Sequence, residues 1–171
     1  MNSNFNILRT RGEPISRTYA AVAVRGLAVA SHATDAAQSI AAGPAGFLGF
    51  LVQEVKAAGP GLREAVHNVG NDDTGIRNAV KAGGAVTIQD ADMVEIEGSD
   101  YLDAADPGAI DALTAIETEL TFEAGKFSEA ALGNRVYFVV TANSAVASST
   151  LAAKNGGIRI IAKRVGDYVK A

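Results

Sequence analysis

The chain has 171 residues, no cysteine and two histidines, which excludes disulfide staples, thiolate metal sites and cysteine nucleophiles. A length of this order can fold as one domain, or as two small lobes sharing a core, without a structural metal. The hydrophobic fraction of 48% excludes wholesale disorder, and the absence of Trp together with an excess of Ala and Val predicts a core of small and β-branched side chains with few aromatic anchors.

The net charge of −4 is distributed unevenly. Residues 1–30 hold Arg9, Arg11, Arg17 and Arg25 against Glu13. Residues 85–130 hold twelve acids against Lys126, and residues 131–171 six bases against Asp167. An acidic middle with basic ends makes complementary contacts within one fold or between neighbours, or else presents a solvated acidic face.

Residues 1–18 read as an N-terminal arm. They mix Asn, Ser, Arg, Gly and Pro with isolated Phe5, Ile7 and Leu8. Such a segment either frays or lies on a neighbour as an extended strand, with Phe5 and Ile7 on one side. From residue 19 to 171 the pattern predicts a single β-rich domain. Tyr19–Ala30 has a short-residue β pattern broken at Arg25-Gly26, residues 37–42 a small-residue strand, and 43–46 a turn. Residues 47–55 read as one largely buried strand, in which Gly49 marks a bulge or a close backbone approach. Residues 56–83 form a loop-rich insertion with short helices at 62–69 and 73–81.

Further on, 85–89 and 93–97 read as two strands around a turn at 90–92, with Val94 and Ile96 inward and Glu95 and Glu97 outward. Asp106-Pro107 signals a helix start, covering 108–116. Leu120 and Phe122 share the inner face of a strand at 119–123. A turn at 124–126 and a helical turn at 128–132 follow. Residues 135–141 and 157–165 are strong strands. The sum is a mainly β chain, a small barrel or sandwich of about eight short strands with a few short helices.

Chemistry-bearing motifs are missing. His32 and His67 are remote from each other in sequence, with no second imidazole or thiolate at ligand spacing, so no metal is expected. No Gly-x-Ser-x-Gly elbow marks a nucleophile. The glycine pairs match neither phosphate-binding fingerprint, so no nucleotide cofactor is expected. The acidic run from Asp90 to Asp106 lacks the fixed ligand order of an EF-hand loop; it reads as solvated charge, with an irregular divalent-cation site as the alternative. Arg159, Lys163 and Arg164 with Tyr168 are the best basic stripe, but a pI near 5.1 argues against nucleic acid. No apolar stretch approaches the ~20 residues of a membrane helix, and no targeting segment is expected in residues 1–17.

Several segments resemble the capsid decoration (cement) proteins of tailed bacteriophages. They are Arg25-Gly-Leu-Ala-Val-Ala, Gly46-Phe-Leu-Gly-Phe-Leu, Lys81-Ala-Gly-Gly-Ala-Val-Thr-Ile, Gly133-Asn-Arg-Val-Tyr-Phe-Val and Gly156-Gly-Ile-Arg-Ile-Ile. The resemblance touches much of 20–165 through degenerate motifs, and the 56–80 insertion and the helix near 107–116 depart from its simplest form. It implies a non-enzymatic virion protein without cofactor, made in the host cytoplasm and added to the outer surface of the head. Its implied partners are the major capsid protein and further copies of itself, as a trimer or dimer. Phe5, Arg9, Arg11 and Arg17 are the expected contacts with capsid or neighbour. Another phage structural role, in head completion, tail or baseplate, is the alternative.

Overall fold

The computed structural model describes residues 4–32, 36–39, 46–57, 79–98, 100–103, 107–144 and 158–171. The helix expected at 62–69, most of that at 73–81, the turn residues 43–45 and His67 lie outside them. Among the described residues the chain is mainly β, as the sequence predicts. The strands are β1 (Asn4–Tyr19), β2 (Ala28–His32), β3 (Ala36–Ser39), β4 (Phe47–Leu51), β5 (Glu54–Lys56), β6 (Ala79–Lys81), β7 (Ala85–Glu97), β8 (Glu119–Glu123), β9 (Lys126–Glu129), β10 (Arg135–Asn143) and β11 (Arg159–Val169). One helix, α1 (Pro107–Thr114), precedes β8. The chain divides into two compact units. One comprises Gly12–Ser39 and Gly46–Asp90; the other comprises Met1–Arg11, Ile40–Ala45 and Ala91–Ala171. Both long strands, β1 and β7, pass from one unit to the other.

In the first unit the strands follow the order β1-β3-β2-β4-β7, and β1 pairs back onto β7. This closes a ring of five strands, a small barrel. Each strand sends an apolar side chain into one core: Tyr19 from β1, Val29 from β2, Ala37 from β3, Leu51 from β4, and Val86 and Ile88 from β7. Val55 and Val80, from the parallel pair β5–β6, join the same core with Ala23. Apart from Tyr19 these side chains are aliphatic, several of them β-branched, as the composition predicts.

Gly49 sets the geometry of β4. A Cβ there would lie 2.7 Å from the carbonyl carbon and oxygen of Gln89 and 2.8 Å from the amide of Asp90, and its φ is +148°. The register slips beside it, between Val29 and Ala30. The bulge and the close approach expected of Gly49 are therefore both present. They lie where β4 pairs with β7 through Phe50–Gln89 and Leu51–Ile88. The strand expected over 47–55 stops at Leu51. There Gln53 turns its side chain onto β7, accepting from the Thr87 amide at 2.6 Å and donating to the Thr87 hydroxyl at 3.3 Å.

In the second unit β11, β10, β8 and β9 continue from β7 by antiparallel pairing. Its core is aromatic, contrary to the compositional expectation. Phe122 lies 4.9 Å from Phe127, 5.4 Å from Tyr137 and 6.1 Å from Phe138, ring centre to ring centre. Val136, Tyr137 and Phe138 are consecutive yet all buried, because the register shifts between Val136 and Phe138 and re-aims one side chain. The guanidinium of Arg164 lies 5.2 Å from the Tyr137 ring centre and 5.5 Å from that of Phe138, and bonds Asp167 at 2.8 Å.

Three further expectations change. Residues 90–92 do not turn: Ala91 is fully buried and β7 runs through them unbroken. Residues 126–129 are a strand rather than a helical turn. Ala124 and Gly125 both take positive φ, the two-residue turn that closes a tight hairpin, and β9 is its return strand, anchored by buried Phe127. Finally, α1 ends at Thr114 rather than Ile116. The Thr114 carbonyl, left over at the helix end, accepts from Asn143 Nδ2 at 2.7 Å, and Glu117 turns the chain at φ 70°.

Gly49→Ala is expected to destabilise the protein by about 1–3 kcal/mol, because the added methyl meets backbone that cannot give way. Gly166→Ala, whose Cβ would meet nothing within 4 Å, is expected to change stability by less than about 0.5 kcal/mol. Denaturant unfolding of both variants checks the contrast.

Candidate interaction surface

Among the described residues, the most exposed regular segment is the middle of β1. Its two ends are tied down: Phe5 is 3% exposed and Tyr19 2%. Between them, Leu8 to Pro14 are all exposed, seven consecutive residues, so both faces of the strand are solvated. A strand of one unit ordinarily buries alternate side chains. This one buries neither set over that stretch.

The four sequence-predicted contact residues lie along β1 but do not share an environment. Phe5, expected to contact capsid or a neighbour, packs its ring 5.5 Å from Tyr101. Arg9 projects outward, its side chain 75% exposed, and meets Asp92 of β7 at 3.5 Å. Arg11 is exposed. Arg17 is half-buried and its guanidinium donates to the Ser16 carbonyl at 2.9 Å. The expected arm is thus, from Asn4 on, a strand of the fold, antiparallel to β7. The cross-strand neighbours Asn6/Glu95, Arg9/Asp92 and Gly12/Gln89 mark its register.

Along Leu8–Pro14 the strand carries Gly12 in a left-handed conformation (φ +66°), Pro14, and the charges of Arg9, Arg11 and Glu13. Bulges, prolines and charges are the devices that stop a strand edge from recruiting further strands. The segment is therefore built for side-chain contact rather than for extending a sheet.

The charge blocks of the sequence meet inside the fold. Acidic β7 lies between basic β1 and basic β11. Glu95, 7% exposed, was expected to face solvent. It instead accepts from Asn6 Nδ2 at 3.1 Å and from Arg159 Nε at 2.5 Å, while Arg159 also reaches Glu97 at 3.7 Å. The Asn6 hydrogen bond, and after it that of Arg159, hold the Glu95 carboxyl below its usual pKa of 4.5, against the opposing effect of burial. Lys170 and Glu119 pair at 3.1 Å. The Tyr168 hydroxyl donates to the same carboxylate, which lowers the Glu119 pKa and raises that of Tyr168. The grouping of Asn6, Glu95 and Arg159 is not visible in the sequence, because alternation alone places Glu95 outward.

A second feature is not visible in the sequence either. Ala20, Ala21, Val22 and Val24 are exposed, Val22 at 64%. Backbone hydrogen bonds from Gly26 to Leu51 and from Leu51 to Leu27 hold this loop beside exposed Val52. Its apolar composition had suggested a strand; only the isolated Ala23–Val55 bridge forms.

His32 is exposed at the end of β2. Among the described residues no group of His, Asp or Glu is placed to hold a metal ion, and no helix is long and apolar enough to cross a membrane. No protein-family model, no curated protein and no solved structure matches this chain.

Since the depressed pKa of Glu95 signifies stability that is present above pH 4.5 and lost as the carboxylate protonates on acidification, Arg159→Met is expected to cost about 1–3 kcal/mol at pH 7. The deficit should shrink as the pH falls below 4.5, where the parent loses the same interaction. Denaturant unfolding across a pH series measures both; a deficit independent of pH would assign the loss to packing of the Arg159 stem.

Proposed function

We propose that this protein is a capsid decoration (cement) protein of a tailed bacteriophage, a structural component that binds the outer surface of the head. The observation that carries the reading is the middle of β1. Seven consecutive exposed residues with both faces solvated, bearing Leu8, Arg9 and Arg11, offer a partner an accessible strand carrying apolar and basic side chains. Resemblance of the short β segments to cement proteins supplies the class of partner, the major capsid protein.

The mechanism needs no reaction. A protein that prefers the assembled lattice stabilises it by mass action. Where copies link to one another, as a dimer or trimer, repetition over the lattice lets weak contacts suffice. Exposed arginines suit this role, since the guanidinium fork matches carboxylates presented by a capsid surface. Of the four residues first expected at the contact, Arg9 and Arg11 carry it; Phe5 holds the strand that presents them.

Quantifying the protein against the major capsid protein in purified virions, with cryo-EM of the heads, tests the reading. Copies in a fixed lattice ratio with density on the outer surface are expected. A few copies at one vertex or on the tail would instead indicate a head-completion, tail or baseplate component, and absence from virions would overturn the proposal. Arg9→Gln combined with Arg11→Gln is expected to lower head occupancy severalfold at sub-saturating protein, more so at low salt. Its effect on stability should stay within about 0.5 kcal/mol.

A further inference from the structure

We infer that the first half of β1, Asn4–Arg11, is an exchangeable strand, and that its second seat is the β7 edge of another copy of this chain. The division into compact units falls between Arg11 and Gly12. Residues 4–11 therefore pack with the unit containing residues 91–171, while the chain they lead into, from Gly12 on, belongs to the other. Three side-chain contacts seat them on the former: Phe5 to Tyr101, Asn6 to Glu95 and Arg9 to Asp92. None of these contacts depends on which copy supplies the strand, so exchange conserves them all.

What differs between the two forms is the path of the chain at Gly12. It has φ +66°, and a Cβ there would meet nothing within 4 Å. Glycine takes either sign of φ at no steric cost. Pro14 biases Glu13 toward an extended backbone. If Gly12 relaxes to the extended region, the strand leaves its own β7 and is delivered elsewhere. Exchange of an identical element through such a hinge is a low-cost route to a closed dimer. The inference concerns self-association alone and holds whether or not the partner lattice is a phage capsid.

The test uses two changes in the full chain. Gly12→Ala penalises the left-handed hinge, and its added Cβ meets nothing within 4 Å, so it is expected to raise the self-association constant about tenfold per hinge, read by sedimentation. Arg9→Cys with Asp92→Cys places a thiol pair across β1 and β7 in a chain that has no other cysteine. After oxidation of the associated fraction, disulfide-linked dimers on a non-reducing gel are expected. Disulfides found only within single chains in that fraction, or a folded Gly12→Ala that associates no more than the parent, would overturn the inference. Should Gly12→Ala fail to fold, the cysteine pair in the concentrated parent chain decides by the same readout, interchain links supporting exchange and exclusively intrachain links refuting it.

Discussion

One acidic strand held between two basic ones organises this chain. β7 carries Asp92, Glu95 and Glu97; β1 brings Asn6 and Arg9 to one side, and β11 brings Arg159 to the other. The ion pairs at the rim are solvated and individually contribute little. Glu95 is different, because a largely buried carboxylate must be satisfied or protonated. Its two partners come from opposite ends of the sequence, so satisfying one side chain requires both termini to be in place. Part of the uneven charge along the chain is paired within this topology.

The two units solve the problem of filling a core in different ways. The barrel unit uses Val, Ala, Leu and Ile around Tyr19, and lets backbone approach backbone at Gly49. The other unit stacks Phe122, Phe127, Tyr137 and Phe138 and covers the last two with Arg164. Aromatic rings contribute more per residue to burial than alanines do. The second unit thus fills its core with a few large rings, while the first fills a closed ring of strands with aliphatic side chains.

Class and local pattern were legible in the sequence; partnership was not. Alternation identified β8 and the inward Val94 and Ile96, the Asp-Pro pair located α1, and an isolated glycine in an apolar run gave the β4 bulge. Each is a signal within a few residues. The errors share an opposite cause. The turn expected at Asp90–Asp92 fails because both edges of β7 are occupied by strands distant in sequence. The helical turn expected at 128–132 fails because a positive φ at Ala124, a residue with no preference for it, completes a hairpin. Glu95 reads as solvent-facing until Asn6 and Arg159 are known to flank it. Of the proposed surface, the basic residues of the first strand were visible, but the internal use of Phe5 depended on Tyr101, nearly a hundred residues away. The compositional average also concealed the aromatic cluster, since it merged two unlike cores.

The parallel pairing of β5 with β6 carries a constraint on variation. Glu54 lies beside Ala79 and Lys56 beside Lys81, so the chain departs from one end of the pair and must re-enter at the other. A tight hairpin cannot make that journey; a parallel crossover needs on the order of a dozen residues. The connection from Lys56 to Ala79 therefore has a floor on its length. Below that floor β6 could pair only in the reverse direction, and Val80 would lose its place in the barrel core.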